Sequence, residues 1–535
     1  MRILRMGSAA VLVEVGGLDE AMALHARLAA APPAGVVDIV PAAATVLVKI
    51  DRGMLSPERA REWIAAAAAE PAPAAGVAGE LVLPVVYDGA DLAEAARLLG
   101  MGPDALAARH AATAWTVAFT GFAPGFGYLV GADWDLDVPR RREPRTRVPA
   151  GAVGLAGRFS GAYPRETPGG WQLIGTTSAA LFDPDTERPA LLVPGVRVRF
   201  EPVRAATVVP AAPSPTGSPA RPARPDAPVD PGPRRGPMRP GIRILTPGLL
   251  ATVQDGGRPG RAAAGIASGG AADADAWALA NRLLGNDGDA AAIEVVLGGL
   301  RAVAEGDLEV VVTGAWAMLS IDGWPRDPFV VHPWPSGSEL RLDGFLGGAR
   351  AYLAVRGGWD AAVVAGSRAT DTLAGLGPAP LRAGDRLPVG EAVARAVPAL
   401  PLHPWGLPPV GTDAAPLEIP FVRGPRDDWF TAGALTALGD AVWTVSADAD
   451  RVGIRLDGPE LERSRGGELP SEGMVPGAIQ VPPAGRPVIF GVDGPVTGGY
   501  PVIGVVTGLG RSRLAQTRPG DRVRLRPVAS PGRSV

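Results

Sequence analysis

The chain of 535 residues contains no cysteine. Disulfides, thiolate metal sites and a cysteine nucleophile are therefore excluded, and the absence fits a reducing compartment. Lysine is almost as scarce: Lys49, inside the apolar run Val46 to Ile50, is the only one. That leaves no Gly-Lys-Ser/Thr phosphate loop and no biotinyl-lysine segment. It also argues against a Ser–Ser–Lys amidase triad, since Lys49 reads as a strand residue. The 4 histidines (His25, His110, His332, His403) lie far apart without metal-ligand spacing, which argues against zinc. His110 reads as a satisfied helix-face residue rather than a base. No apolar stretch reaches the roughly 18 residues of a membrane span. Met1 to Gly17 lacks the pattern of a secretory leader, so the expected location is the cytoplasm. The net charge of −3, with no basic block interleaved with aromatics, argues against nucleic acid as a partner.

What is present points to several domains. The length is too great for one core, and 47% hydrophobic with 20% charged residues suits a globular chain. Residues 1–88 read as a small α/β unit. Strands are expected at Ala9 to Val15, Val36 to Val40, Thr45 to Ile50 and Leu81 to Tyr87. Helices are expected at Leu18 to Ala31 and from Pro57 to Ala69, the second capped by Ser56. That order is the ferredoxin-like split unit. Residues 89–203 begin with two helices, 91–99 and 103–112, and continue as short strands cut by Gly and Pro, the pattern of a barrel. Residues 204–239, dominated by Pro, Ala, Arg and Ser, read as a linker unable to bury enough apolar surface to fold. Residues 240–400 and 401–530 are again mostly short strands, with helices from Asp273 to Leu284 and near Asp427 to Leu438. The expected class is β-rich α+β.

The densest local signal is Gly121-Phe-Ala-Pro-Gly-Phe-Gly-Tyr-Leu129. Glycine permits positive φ and close backbone approach; Pro124 bars a regular strand. Gly121, Phe122, Pro124, Gly125, Phe126 and Tyr128 therefore read as a pocket wall, or else as an aromatic-packed barrel corner. An internal repeat follows. Pro168-Gly-Gly-Trp-Gln-Leu-Ile-Gly175 matches Thr497-Gly-Gly-Tyr-Pro-Val-Ile-Gly504. Val148-Pro-Ala-Gly-Ala152 matches Val475-Pro-Gly-Ala478, and Pro194 to Phe200 matches Pro519 to Leu525. A weaker third copy ends at Arg382 to Leu387. Related barrels are expected, two clear and one weaker.

Several side chains could carry chemistry. Arg258, after Asp255-Gly-Gly, is a candidate anion clamp, or a solvated arginine on a glycine turn. Gly169, Gly170 and Trp171, like Gly498, Gly499 and Tyr500, could offer N–H groups and an aromatic face to a ligand, or only turn the chain. Asp255, Glu472 and Asp493 are the candidate catalytic carboxylates, for general-base work or for magnesium held with a nucleotide. Asp273 also reads as a helix N-cap, and Glu294 would need an arginine partner if buried. Glu472, in a Pro-Ser-Glu-Gly turn, is easily placed in a cleft. Gln480 can both donate and accept, which suits an amide. No metal site is expected.

The 121–129 loop, Val148 to Gly151, Tyr163-Pro164 and 168–175 together resemble the B component of the bacterial ATP-dependent 5-oxoprolinases, also called the allophanate-hydrolase-subunit-1 or sporulation-kinase-inhibitor family. The second half resembles the C component of the same enzymes, through Thr252 to Gly260, Asp273, Ala280 to Asn286, Ile293-Glu294, Tyr352 to Val355, Gly366-Ser-Arg368, Ser471-Glu-Gly473, Gly477 to Gln480 and Thr497 to Pro501. The resemblance covers nearly everything except the linker and marks the chain as similar to a B–C fusion. It implies cyclophilin-like barrels, one in the first half and two in the second. It also implies a separate A-type 5-oxoprolinase partner protein, ATP with Mg²⁺, no protein-attached biotin, and opening of 5-oxo-L-proline to L-glutamate. A homo-oligomer is left open. Two other functions share these modules: a carboxyltransferase component of a biotin-dependent urea or amide carboxylase, and a histidine-kinase-binding regulator. Thr176 stands where the B family usually has arginine, and Gly269-Gly-Ala-Ala-Asp273 where the C family usually has Ser-Gly-Ala-Met-Asp. The substrate is therefore open to difference.

Overall fold

The computed structural model describes residues 1–535 apart from 72–78, 142, 144, 185, 187–188, 205–238, 401, 404–410, 413–414, 468 and 530–535. The expected linker, 204–239, lies almost wholly outside the described residues. No described helix is long and apolar enough to cross a membrane.

The amino-terminal layer is an antiparallel four-stranded sheet in the order Arg2–Arg5, Ala10–Glu14, Thr45–Ile50, Val36–Pro41. Apart from Arg2–Arg5, its strands are apolar almost without alternation because both faces are covered. Val11, Val13, Val46 and Val48 pack on the helices Leu18–Ala30 and Pro57–Ala69. Leu12, Leu47 and Val40 pack on Met474, Val475, Val502 and Val505 of the last barrel. The Ser56 hydroxyl caps the second helix by accepting from Arg59 N at 3.2 Å.

The expected fourth strand of the ferredoxin-like unit is corrected here. Arg2–Arg5, too short and too arginine-rich to stand out, is the edge strand of the sheet. The strand Glu80–Val85 leaves the layer and pairs in parallel with Arg197–Pro202. The antiparallel four-stranded layout is kept, with its edge strand supplied from the start of the chain.

Glu80–Val85 opens a seven-stranded sheet whose far edge is Gln172–Thr176. A bridge between Val86 and Thr176 brings those two edges together. The last unit is a closed seven-stranded barrel from Leu417–Arg423 to Arg522–Pro527. Read from the first strand, both follow one circular order, with first and last strands parallel. Each has a bulge at the same place: Ile174 is skipped in one register and Ile503 in the other. Each carries a small two-stranded flap, Arg145–Val148 with Thr167–Gly169, and Glu472–Gly473 with Thr497–Gly498. The two clear copies of the repeat thus have equivalent strand orders.

The weak third copy does not. In the middle unit Gly241–Pro247 pairs antiparallel with Arg386–Pro388, and a long ribbon, Leu308–Ile321 against Glu339–Val355, dominates the sheet. The Gly-Asp-Arg segment shared by 384–386 and 520–522 marks a turn before a strand, not a common topology. Helix Ala274–Leu284 packs across this sheet; Asp273 caps its start and left-handed Gly285 ends it. The helix expected near 427–438 is a short 3₁₀ turn, Asp427–Trp429, followed by Ala432–Asp440.

Candidate functional site

A cleft of about 310 Å³ lies where the amino-terminal sheet meets the start of the second half and the last barrel. Lys49 reaches it from the strand Thr45–Ile50, on the same face as Leu47, two residues away. Its Nζ lies 3.0 Å from Asp38 Oδ2 and 3.2 Å from Ser268 Oγ, so the contact with Ser268 crosses between the two halves. Asp38 accepts from Ala262 N with its other oxygen, at 3.0 Å. Asp255 also lines the cleft. Its oxygens accept from Gly257 N (2.8 Å), Ser367 Oγ (2.5 Å) and Arg368 N (2.6 Å). Arg511, an exposed residue on helix Gly508–Ala515, also lines the cleft.

Behind the Ser268-Gly269 wall lies a buried ionic network. Arg451 grips Asp493 with Nε and Nη2, both at 2.9 Å, and Glu294 with Nη1 at 2.8 Å. Its Nη2 also donates to Gly270 O at 2.6 Å. Tyr352 Oη (2.7 Å) and Ala272 N (3.0 Å) donate to the other Glu294 oxygen. Burial works against ionisation of Glu294, but Arg451 and Arg350 outweigh it and hold the carboxyl below its ordinary range. The arginine comes from the last barrel and the glutamate from the middle unit, so the network fastens those two together.

Arg258 lies beside this network and is 1% exposed. Its Nε donates to Val364 O (2.9 Å) and its Nη2 to Ala369 O (2.5 Å). Nη1 is buried without a hydrogen-bond partner among the described residues, as is Asp371 Oδ2. Burial, then the charge of Asp493, pushes the Asp371 carboxyl up to about 6, against the pull of Ala374 N and Arg258.

These positions correct several expectations. Arg258 is a buried tie between loops, neither an open anion clamp nor a solvated arginine on a turn. Glu472 is 2% exposed and ion-paired with Arg426, so it is not in a cleft. Asp493 is fully buried on Arg451. Gln480 spends its amide N–H on Tyr500 O (3.0 Å) and Met474 S (3.3 Å) rather than on an open site. Asp273 is a cap: Oδ1 accepts from Ala276 N, and Oδ2 accepts from Gln516 Nε2 at 2.7 Å. Glu294 has the arginine partner that its burial requires. Of the carboxylates singled out, Asp255 alone lines the cleft.

The aromatic loop does not wall it either. Phe126 and Tyr128 are buried and pack on Trp171, with ring centroids 5.3 and 5.5 Å away. Phe122 takes a left-handed φ of 66° and donates its N–H to Thr497 Oγ1 at 3.1 Å. Gly121 has no room for a side chain: a Cβ there would lie 2.1 Å from that same oxygen. Pro124 and Gly125 abut the 262–265 turn of the second half, Gly125 N lying 3.5 Å from Ala264 O. The loop is thus an aromatic-packed corner wedged into the seam between halves. Gly169 and Gly498 are flap residues where a Cβ would strike Tyr163 and Gln480. Gly170 O accepts from Arg141 N, and Gly499 lies beside Leu469 O. Trp171 is core, while Tyr500 is 44% exposed and outside the cleft lining.

Sequence reasoning missed Lys49, Ser268, Asp371, Arg426, Arg451 and Arg511. Lys49 had a signal: a lone lysine in an apolar strand needs a partner on a covered face. Arg451 and Arg426 had none, because each is one arginine among many until its carboxylate is located in space. His110 is the satisfied residue expected: it is buried between Tyr87 Oη and Ser160 Oγ, both at 2.8 Å, and burial lowers its pKa to about 3.

Comparison with known proteins separates the two halves. Residues 1–192 match the model of the carboxyltransferase domain, subdomain C and D, and residues 264–527 that of subdomain A and B. The second half is 35% identical over 293 residues to the C component of 5-oxoprolinase from Escherichia coli K12, spanning 53% of this chain and 89% of that protein. The first half is 50% identical over 123 residues to the B component of 5-oxoprolinase from Escherichia coli O157:H7, spanning 22% of this chain and 56% of that protein. Urea amidolyase of Saccharomyces cerevisiae is 33% identical over 309 residues, 54% of this chain but 17% of its own length. The solved structure of TTHA0988 superposes with a TM-score of 0.81 at 34% identity, over 96% of this chain and 99% of that one. The chain belongs to the carboxyltransferase-domain family and joins in one polypeptide the halves that resemble the B and C components of 5-oxoprolinase.

Proposed function

We propose that this chain is the B–C component of an ATP-dependent 5-oxoprolinase, opening 5-oxo-L-proline to L-glutamate with a separate A-type partner protein in the cytoplasm. The observation that carries the reading is the Lys49–Ser268 contact at 3.2 Å. It makes the cleft a joint product of two halves whose relatives are named as two components of one enzyme. On this reading the two matching barrels are the cyclophilin-like units of that family.

A magnesium nucleotide does not fit the residues of this cleft. The one lining carboxylate, Asp255, already accepts from three donors. No group of three metal-ligating side chains occurs among the described residues. ATP is therefore assigned to the partner, and this chain binds and orients the organic substrate. Purified chain plus its A-type partner should hydrolyse ATP only with 5-oxo-L-proline present. ATP turnover indifferent to that compound would end the proposal.

A second reading has its own support, in the carboxyltransferase description of both matched models and in the urea amidolyase similarity. The chain would then accept a carboxyl group from biotin carried on another polypeptide. Inhibition of the reconstituted system by avidin would favour it.

A further inference from the structure

The cleft holds cationic donors that its own hydrogen bonds do not use up. Three charged side chains line it: Lys49, Arg511 and Asp255. Lys49 is balanced by its ion pair with Asp38 at 3.0 Å, and the Asp255 oxygens already accept from Gly257 N, Ser367 Oγ and Arg368 N. Lys49 spends two of its donors on Asp38 and Ser268; an ammonium has three. Arg511 makes no side-chain hydrogen bond or ion pair among the described residues, and the one charge acting on it, that of Asp275, does so from beyond ion-pair distance. Arg511 is exposed at the cleft wall, and a guanidinium with its fork unused is matched to a carboxylate or a similar oxyanion. The remaining wall, with Ile50, Trp277, Val475 and Val505, is apolar. At about 310 Å³ the space suits a small molecule, near the lower end of ligand pockets at roughly 300 Å³.

We infer that the cleft is a binding site for a small organic acid, its carboxylate held between Arg511 and Lys49 and its compact apolar body against Trp277 and Val505. The site is completed only when both halves are present, because Lys49 comes from the first and Arg511 from the second. The inference deepens the proposed function by taking this cleft as the substrate site. It does not require the ligand to be a lactam.

Calorimetric titration of the full-length chain tests it. The probes are 5-oxo-L-proline, cyclopentanecarboxylate, neutral 2-pyrrolidinone and inorganic phosphate. Saturable binding of at least one of the two carboxylates is expected, about tenfold weaker in Arg511→Gln and in Lys49→Gln, with pyrrolidinone failing to bind. Arg511→Gln should keep the wild-type melting temperature, since that side chain makes no internal bond. It therefore carries the test even if Lys49→Gln, which unpairs Asp38, loses stability. Absence of carboxylate binding, equal affinity in wild type and Arg511→Gln, or binding of phosphate alone would overturn the site. Arginine-dependent binding of cyclopentanecarboxylate alongside ATP turnover indifferent to 5-oxo-L-proline would keep the site and remove the 5-oxoprolinase reading.

Discussion

Asp91 and Arg426 occupy the same position in the two barrels and carry opposite charge. Asp91 N donates to Leu173 O at 2.9 Å, and Arg426 N to Val502 O at 3.1 Å, on equivalent strands beside the shared bulge. Each side chain then grips its own barrel's flap. Asp91 accepts from Arg145 at 2.6 Å, and Arg426 donates to Glu472. Arg145 pairs across the flap with Gly169, and Glu472 with Gly498. The ionic tie has been kept while its polarity is reversed. Glu472 is therefore a flap anchor.

Breaking that anchor should cost stability first. Arg426→Met strands Glu472 and deprives Glu14 of a 2.7 Å partner. Removing one member of a buried pair costs about 3–5 kcal/mol, whereas replacing both by apolar residues is often near neutral. Urea unfolding should show Arg426→Met far less stable than Arg426→Met/Glu472→Met. Equal midpoints for the two would mean the pair does not hold the flap.

Arg451 joins the last barrel to the middle unit through Asp493 and Glu294. Arg451→Lys keeps the charge but loses the fork that serves both carboxylates at once. A loss on the order of 3 kcal/mol is expected for Arg451→Lys as well as for Arg451→Met. Full stability in Arg451→Lys by chemical denaturation would show that charge alone suffices.

The seam between halves turns on Gly121 and Thr497. Because a Cβ at 121 would meet Thr497 Oγ1 at 2.1 Å, Gly121→Ala should lower the melting temperature by several degrees, equivalent to about 1–3 kcal/mol of overpacking strain. Gly121→Ala combined with Thr497→Gly should recover part of that loss. Differential scanning calorimetry reads both; a Gly121→Ala chain that melts like wild type would show that the seam yields easily.

Two buried groups give opposite pH dependence. The Asp371 carboxyl, raised to about 6 in the fold, titrates near 3.9 when unfolded. The folded state thus holds more protons between those values, and stability falls as pH rises through them, by on the order of 3 kcal/mol. His110, lowered to about 3, titrates near 6.5 when unfolded. There the unfolded chain holds more protons, and stability falls as pH drops from about 6.5 towards 3. Asp371→Asn should gain stability relative to wild type at pH 7.5 but not at pH 4. Urea midpoints for the two proteins at both pH values decide it, and a constant difference would exclude Asp371 as the titrating group.

The two matching barrels were legible in the sequence because their turns need glycine and their strands need apolar alternation. Gly151 and Gly477, both at positive φ, sit on the repeated Val-Pro motif. Cap positions were legible too, since Ser56 and Asp273 act within a few residues of themselves. The partner of Glu80–Val85 was not, because its pairing with Arg197–Pro202 spans more than a hundred residues of chain and leaves no local trace. Nor was the aromatic loop's role: the same glycines and rings suit a ligand wall or a seam, and Thr497, which decides between them, lies 375 residues from Phe122.

By itself the sequence determined the kinds of local structure, the doubling of one barrel, and the exclusion of cysteine and phosphate-loop chemistry. Those follow from short-range sterics and from residue types that are simply missing. Which charges meet was decided only in three dimensions. A carboxylate such as Glu472 or Asp255 has the same intrinsic chemistry anywhere. Burial against one arginine makes the first an anchor, while the second lines a cleft that Lys49 and Arg511 also line.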